Sequence, residues 1–291
     1  GNNGLGDFLA FCVDLDQYLG NPQKATIAPN LFNSTITNNK SRIAAGILQY
    51  GYQSKINLQG TIVAGNETYA QGYAAEGYLF NPSYFYGGAN NIIGENGTVD
   101  FGNLVLSGND VSFSNDATDN LYPLTSSNGQ FMHPLKVGSV AIDGNDVSCF
   151  GSLFDQDGKG RGIDGDDNGS FICDVGAFEH SLPMVADDAP CSLSNAIISA
   201  NSDASVGGCQ PGNGHDIILL PENSTQSLAT VQSYLSVNPA VPFGLPAITT
   251  GVTIEGNGSS IERDAAAVDD FDLFLVESQG QLNLLDANLT G

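Results

Sequence analysis

Three short segments of this chain share one form. Phe32-Asn-Ser-Thr-Ile-Thr-Asn-Asn39, Leu58-Gln-Gly-Thr-Ile-Val-Ala-Gly-Asn66 and Leu284-Leu-Asp-Ala-Asn-Leu-Thr-Gly291 are each a brief alternating strand that ends in Asn or Gly. The first two are offset by 26 residues, Ile36 to Ile62, a period that suits one turn of a solenoid. In such a coil the inward positions stack Ile on Ile and Leu on Leu, while Asn and Gly take the bends, where left-handed backbone costs little. Further strands are expected at Gly251–Glu255, Asp272–Val276 and Asp216–Leu220. Leu193, Ala196, Ile197 and Ala200 fall at helical spacing and predict a helix over 192–201, placed to cap the open end of the solenoid. The fold class expected is all-β, a right-handed parallel β-helix with that one short capping helix.

Composition agrees and excludes several functions. The 36 glycines, with Asn, Ser and Thr between β-branched runs, favour short strands and tight turns over long helices. Eight Lys and Arg against 32 Asp and Glu give a formal net charge of -24, which repels phosphate backbones and anionic lipid. No nucleic acid and no membrane span are expected, since no apolar run reaches the length of a spanning helix. The 41% of hydrophobic residues argue for a folded interior rather than disorder.

Five cysteines stand at 12, 149, 173, 191 and 209, with no C-x-x-C and no histidine nearby to make a zinc site. Two local disulfides are expected, Cys149–Cys173 and Cys191–Cys209, and together they point to an oxidising, extracellular or cell-surface location. Cys12 is left over, either a small buried hydrophobe or an intermolecular bridge.

The residues Cys191-Ser-Leu-Ser-Asn-Ala-Ile-Ile-Ser-Ala-Asn201, Gly207-Gly-Cys209, Gly214-His-Asp-Ile-Ile-Leu-Leu-Pro221 and Thr253-Ile-Glu-Gly-Asn-Gly258 resemble the CSLREA domain that opens many secreted bacterial β-helix proteins. The pattern departs from the family at Ser194-Asn195, where a basic-acidic pair is usual. Gly60-Thr-Ile-Val-Ala-Gly-Asn66, Asn90-Asn-Ile-Ile-Gly94, Gly138-Ser-Val-Ala-Ile-Asp-Gly144, Asp155-Gln-Asp-Gly158 and Cys173-Asp-Val-Gly-Ala-Phe-Glu179 resemble the closing, choice-of-anchor Q part of the same family. The resemblance implies fold and secretion rather than one activity. The halves stand in permuted order: 1–180 resembles the C-terminal half of one unit, 181–190 reads as a Pro-containing linker, and 191–291 resembles the N-terminal half of the next. Read cyclically the ends fit, so the chain is expected to be one repeat of a head-to-tail arrangement, as tandem copies or separate subunits. An excerpt that straddles two domains of one adhesin is the plainer alternative.

A polysaccharide lyase or hydrolase needs a base with cations, or two facing carboxylates, and neither constellation is visible. The chain is therefore expected not to be an enzyme. The densest acidic stretch lies between Asp155 and Ser170. Asp164, Asp166 and Asn168, followed by Gly169, match the first half of a calcium loop, which Asp155 or Asp157 would complete; the twelfth position is Val175, so an EF-hand fails. A solvated acidic turn is the alternative, with Arg161 paired to a neighbouring Asp at the surface. Calcium is the one cofactor this pattern admits.

Tyr73, Tyr78, Tyr84 and Tyr86 lie in a stretch without strand periodicity, expected to leave the solenoid as a loop that stacks on glycans, meets a neighbouring subunit or packs back on its own flank. Asn-x-Ser/Thr sequons, among them those at 33, 66, 96, 168, 223, 257 and 288, offer glycosylation as an option. The function expected is an extracellular structural repeat of a filament or stalk; a carbohydrate-binding adhesin is the alternative.

Overall fold

The computed structural model describes residues 30–42, 45–50, 55–69, 77–80, 84–87, 90–94, 111–113, 119–127, 130–145, 149–187 and 190–291. These residues are mostly β with one short helix, and their stacked parallel coils form a β-solenoid. The chain divides into two compact units. One comprises 1–122, 138–155 and 160–180; the other comprises 123–137, 156–159 and 181–291. Cys12 and Tyr73 lie outside the described residues, as does the sequon at Asn96.

In the first unit, successive coils carry β1 (Asn30–Phe32), β2 (Thr35–Thr37), β3 (Lys40–Ser41) and β4 (Ile47–Tyr50), then β5 (Lys55–Gln59), β6 (Ile62–Ala64), β7 (Glu67–Thr68) and β8 (Gly77–Phe80). A third coil adds β9 (Tyr84–Gly87) and β10 (Ile92–Gly94), followed by β11 (Val111–Phe113). All pairs between coils are parallel: β1 with β5 and β5 with β9, β2 with β6, β6 with β10 and β10 with β11, β3 with β7, β4 with β8.

The corners explain why this sequence coils. Asn33, Gly60 and Asn90 have φ of 45°, 56° and 58°, and each precedes one strand of the stack β2, β6, β10. Asn38 and Gly65 repeat the device after β2 and β6, with φ of 57° and 72°. Asn and Gly are the residues that accept the left-handed region at least cost. These corners set a 27-residue step between the first two coils, so Ile36 pairs with Val63 and Thr35 with Ile62. The 26-residue offset expected from matching Ile36 to Ile62 is one residue short. Inside, Leu58, Ile62, Val63, Ile92 and Ile93 are buried, each such side chain contributing about 1.5–3 kcal/mol by leaving water.

Buried asparagines tie coil to coil. Asn66 accepts from the backbone and side-chain amides of Asn39 and donates to the Ile36 carbonyl. Asn91 accepts from the Thr61 amide and donates to the Leu58 carbonyl. At the rim, Asn57 donates to Asn30 across the 27-residue step. The sequons at Asn33 and Asn66 are therefore internal, their side chains buried and hydrogen-bonded, and are not glycan sites in the folded chain.

Three of the four tyrosines expected on a loop lie on strands instead. Tyr78 lies on β8, paired with β4, and Tyr84 and Tyr86 lie on β9, paired with β5, so these three belong to coils of the solenoid.

The second unit begins with the hairpin β12 (Thr125–Ser127) and β13 (Gln130–Met132), then β14 (Met184–Val185), α1 (Leu193–Ser202), β15 (Asp216–Leu219), β16 (Thr225–Leu228), the hairpin β17 (Ser233–Leu235) and β18 (Val241–Phe243), β19 (Gly251–Arg263) and β20 (Gln281–Thr290). β14, β15, β19 and β20 stack in parallel in that order, and β16 joins the second half of β19, beyond its bend at Asn257 and Gly258. Residues 181–187 of the expected linker thus belong to this unit: β14 is a strand, and Met184 and Ala186 are in the core. Asp272–Val276, expected as a strand, makes only isolated bridges to Phe243 and Ile248.

α1 forms where the spacing places it. The Ser192 hydroxyl caps its start by accepting from the Asn195 amide, and Asp203 ends it in the left-handed conformation. Leu193, Ala196, Ile197 and Ala200 pack with Ile218, Leu220, Leu245, Ile248, Val252, Ile254 and Ile261. Cys191 and Cys209, bonded to each other with Cα atoms 4.7 Å apart, hold the two ends of the α1 region in that core. Cys149 and Cys173 form the other disulfide, at a Cα separation of 5.5 Å. Two disulfides fit an extracellular location. Among the described residues no helix is long and apolar enough to cross a membrane.

Candidate functional site

In the first unit, 138–155 and 160–180 fold back over the corners of the coils and bring several carboxylates together. Asn145 donates to the side chain of Asn33 and to the Asp174 carbonyl, and Asn33 donates to the Cys149 carbonyl. The Gly176 amide reaches the Gly60 carbonyl, and the Ala177 amide reaches the Thr35 hydroxyl. Gly176 has φ of 104°, and a Cβ there would lie 2.8 Å from the Ile62 Cδ1. Only glycine lets the backbone turn this close to the coil, which explains its place in the Gly-Ala-Phe-Glu motif.

Arg161 and Glu179 form an ion pair at 3.3 Å with side chains 1% and 0% exposed. Arg161 also donates to the Asp174 and Gly176 carbonyls. One Glu179 oxygen accepts the amides of Gly162 and Ile163, and the other accepts the Asp174 amide beside Arg161. The expected surface contact of Arg161 with an Asp is thus replaced by a buried pair with Glu179. Asp174 accepts the amides of Asp143 and His180, Asp143 those of Gly165 and Asp166, and Asp155 that of Glu179. Each carboxylate pins the backbone of a neighbouring turn.

The expected calcium set is divided by the fold. Asp164 and Asp166 come together with Asp143, an oxygen from each lying within 4.8 Å of the others. Asp155 instead serves the Glu179 amide, and Asp157 accepts the His215 amide in the second unit. Asn168 closes the turn on itself, its amide bonded to Asp164 and Asp166 and its side chain donating to Asp166. Asp143, Asp164 and Asp166 are the residues that could hold a divalent cation, and an all-oxygen trio suits a hard one. Three carboxylates, two already accepting amides of their own loop, are a partial shell against the six to eight oxygens calcium takes. Asp143 was not legible as a member, because it lies more than 20 residues upstream on another turn.

Burial sets the electrostatics. Asp174 is pushed up to about 8 by burial and by the neighbouring Glu179 charge, and Asp143 to about 6 by burial and Asp166. Burial also raises Glu179, against the amides and Arg161 that favour its charged form. In the second unit burial raises Asp216 to about 7 and lowers His215 to about 4. A carboxyl with a raised folded-state value binds more protons folded than unfolded, so its contribution is complete below the ordinary carboxyl range and is lost as pH rises through the raised value. His215 acts the other way, costing stability as pH falls from about 6.5 toward 4, and so offsets Asp216 across that window.

The first unit is therefore expected to be more stable near pH 5 than above pH 8. Urea unfolding at both pH values, followed by pulse proteolysis with fragments assigned by mass, checks this. Protection of 138–180 should fail at lower urea above pH 8, and Asp174→Asn should flatten the difference. Equal midpoints in the parent would mean that Asp174 titrates normally.

No family model, no curated protein and no solved structure matches the chain. The likeness to the CSLREA family rests on the motifs alone.

Proposed function

We propose that the chain is a secreted structural β-solenoid, a stiff extracellular scaffold rather than a catalyst. The observation that carries this reading is the use made of the polar side chains. Asp143, Asp155, Asp164, Asp174 and Glu179 each accept backbone amides, and Asn66 and Asn91 bond one coil to the next. A general acid or nucleophile must instead face its substrate. Two disulfides and the acidic surface suit an extracellular setting, and the motif likeness to secreted β-helix proteins points the same way.

A scaffold of this kind resists proteases. Under native conditions thermolysin is expected to leave 138–180 and 190–291 intact, and Glu179→Gln to open the first of these to cleavage. The same preparations, incubated with a panel of neutral and acidic polysaccharides, should release no reducing or unsaturated ends. Turnover that Glu179→Gln or Asp143→Asn abolishes, in a chain still folded by circular dichroism, would make this an enzyme and sink the scaffold reading.

A further inference from the structure

The β15–β19–β20 sheet of the second unit is covered on both faces, and only one of them is the core. Side chains alternate along a strand, so Ile218, Ile254 and Leu284, in register with one another, turn inward to α1 and its neighbours. Ile217, Thr253 and Asn283, also in register, turn outward. In a bare solenoid that outward row meets water, yet Ile217 and Thr253 are buried and Asn283 is half-buried. Two upstream segments of the same unit reach this face. The hairpin within 123–137 packs through β12 on β19 and β20, where the Ser126 amide and hydroxyl both donate to the Gln281 side chain. The turn 156–159 lies on the loop that leads into β15: Asp157 accepts the His215 amide, and Lys159 pairs with Asp203, which accepts the Gly214 amide. Gly214 has φ of 80°, and a Cβ there would overlap the Asp157 carboxylate and lie 2.8 Å from the Lys159 Cε. Turn and loop meet with no room between them.

His215 sits at this junction, 1% exposed. Its Nε2 lies 2.9 Å from the Thr253 hydroxyl, which accepts from the Asn283 side chain and keeps its own proton for the ring. Its Nδ1 is buried with no hydrogen-bond partner among the described residues. The place suits a neutral imidazole. A second proton would reverse the Thr253 bond and charge a ring held out of water, and burial accordingly pushes His215 down to about 4. Asp216 shares the inward side with Ile218, so it stays covered when the outward face opens. The other titratable and charged groups on the elements packed here are Asp157 and Lys159 on the turn, His133 and Lys136 on 123–137, Asp203 after α1, Glu255 on β19 and Asp286 at the β20 bend.

We infer that 123–137 and 156–159 form a strap over the outward face of β15, β19 and β20, and that protonation of His215 releases it. With the strap closed the ring stays neutral; with the strap open it is hydrated and takes up a proton in its ordinary range near 6.5. Acid therefore favours the open form progressively from about pH 6.5 toward 4, and neutral pH favours the closed one. Asp216 offsets His215 when the whole unit unfolds but not when the strap alone lifts, because the row against α1 is left in place. The device does not depend on whether the chain is a scaffold.

Two measurements on the whole chain test it. The chain has three histidines, so the carbon-13-labelled ring signals of His133, His180 and His215 are assigned by single substitution. His215 is expected to titrate well below 6.5, and a midpoint at that ordinary value would overturn the inference. Hydrogen exchange by peptide, with each rate divided by that of the unstructured peptide at the same pH, reads the opening. Between pH 7.5 and 4.5, opening of 124–132 should rise roughly tenfold or more while that of 193–202 changes little. His215→Gln, which keeps polar atoms without a titrating ring, should make exchange in 124–132 alike at the two pH values. Asp157→Asn and His133→Gln should retain the acid response, which separates His215 from the turn carboxylate and from the strap's own histidine. A parent strap that opens equally at both pH values, or a response that survives His215→Gln, would sink the idea. If His215→Gln leaves the strap open throughout, the ring titration of the parent decides.

Discussion

Glu179→Ala is expected to cost the first unit about 3–5 kcal/mol, the range for removing one partner of a buried ion pair. The substitution leaves the Arg161 charge buried without its carboxylate and strips the acceptor from the amides of Gly162, Ile163 and Asp174. Buried donors without acceptors each add a desolvation cost. Glu179→Gln keeps one carbonyl oxygen for the Gly162 and Ile163 amides but turns an NH2 group toward Arg161, so it should fall between parent and alanine. Hydrogen exchange resolved by peptide checks the outcome: peptides from 160–180 should lose protection in both variants while those from 251–263 keep theirs. A loss within about 0.5 kcal/mol, the usual size for surface substitutions, would mean the pair is not central to the segment.

The second large effect is expected from the Cys191–Cys209 bond. Joining residues 18 apart, it restricts the unfolded chain, and its loss should cost about 2–4 kcal/mol. Both sulfurs lie in the core with Leu193, Ile197 and Ile218, so replacing the pair by alanine also loosens the packing of α1. α1 should open first, because the 191–209 tie brackets it and its loss leaves only the packing of one apolar face and the Asn201 bonds to the Ala247 and Thr249 backbone to hold it. Exchange in 193–202 should accelerate well before exchange in 281–290 does. If both regions respond together, α1 and the coils form one cooperative block and the disulfide acts on the whole of it.

Much of this architecture could be read from residue order. The three like segments, the helix at 193–202 and both cysteine pairings follow from local patterns: corner residues, helical spacing, proximity along the chain. What failed did so for physical reasons. Aligning Ile36 with Ile62 matched identical side chains, but the step is fixed by the corners, Asn33 with Gly60 and Asn38 with Gly65, where backbone conformation outranks side-chain identity. Tyr78, Tyr84 and Tyr86 looked irregular because strands of four residues between coils are too short for a period-two pattern to emerge. The cluster around Glu179 was invisible for another reason. Arg161, Asp143, Asp174 and Glu179 are assembled by a backbone that doubles back on itself, and a buried carboxylate serving amides looks in sequence like any other acid. The close approach of Gly176 to Ile62 and the amide bonds to Gly60 and Thr35 show how tightly that segment is drawn onto the coils.

The repeating corners also bear on how such a molecule changes length over generations. Asn30 to Lys40 and Asn57 to Glu67 occupy equivalent positions one 27-residue step apart, with the same bends. An in-frame loss of one such step leaves Asn57 standing where Asn30 stood, and a duplication inserts a coil that meets acceptable neighbours on both sides. Unequal recombination within the gene therefore lengthens or shortens the solenoid without redesigning either end. Reach becomes a heritable quantity that varies in whole coils, while the corner residues are held fixed by the backbone they must adopt.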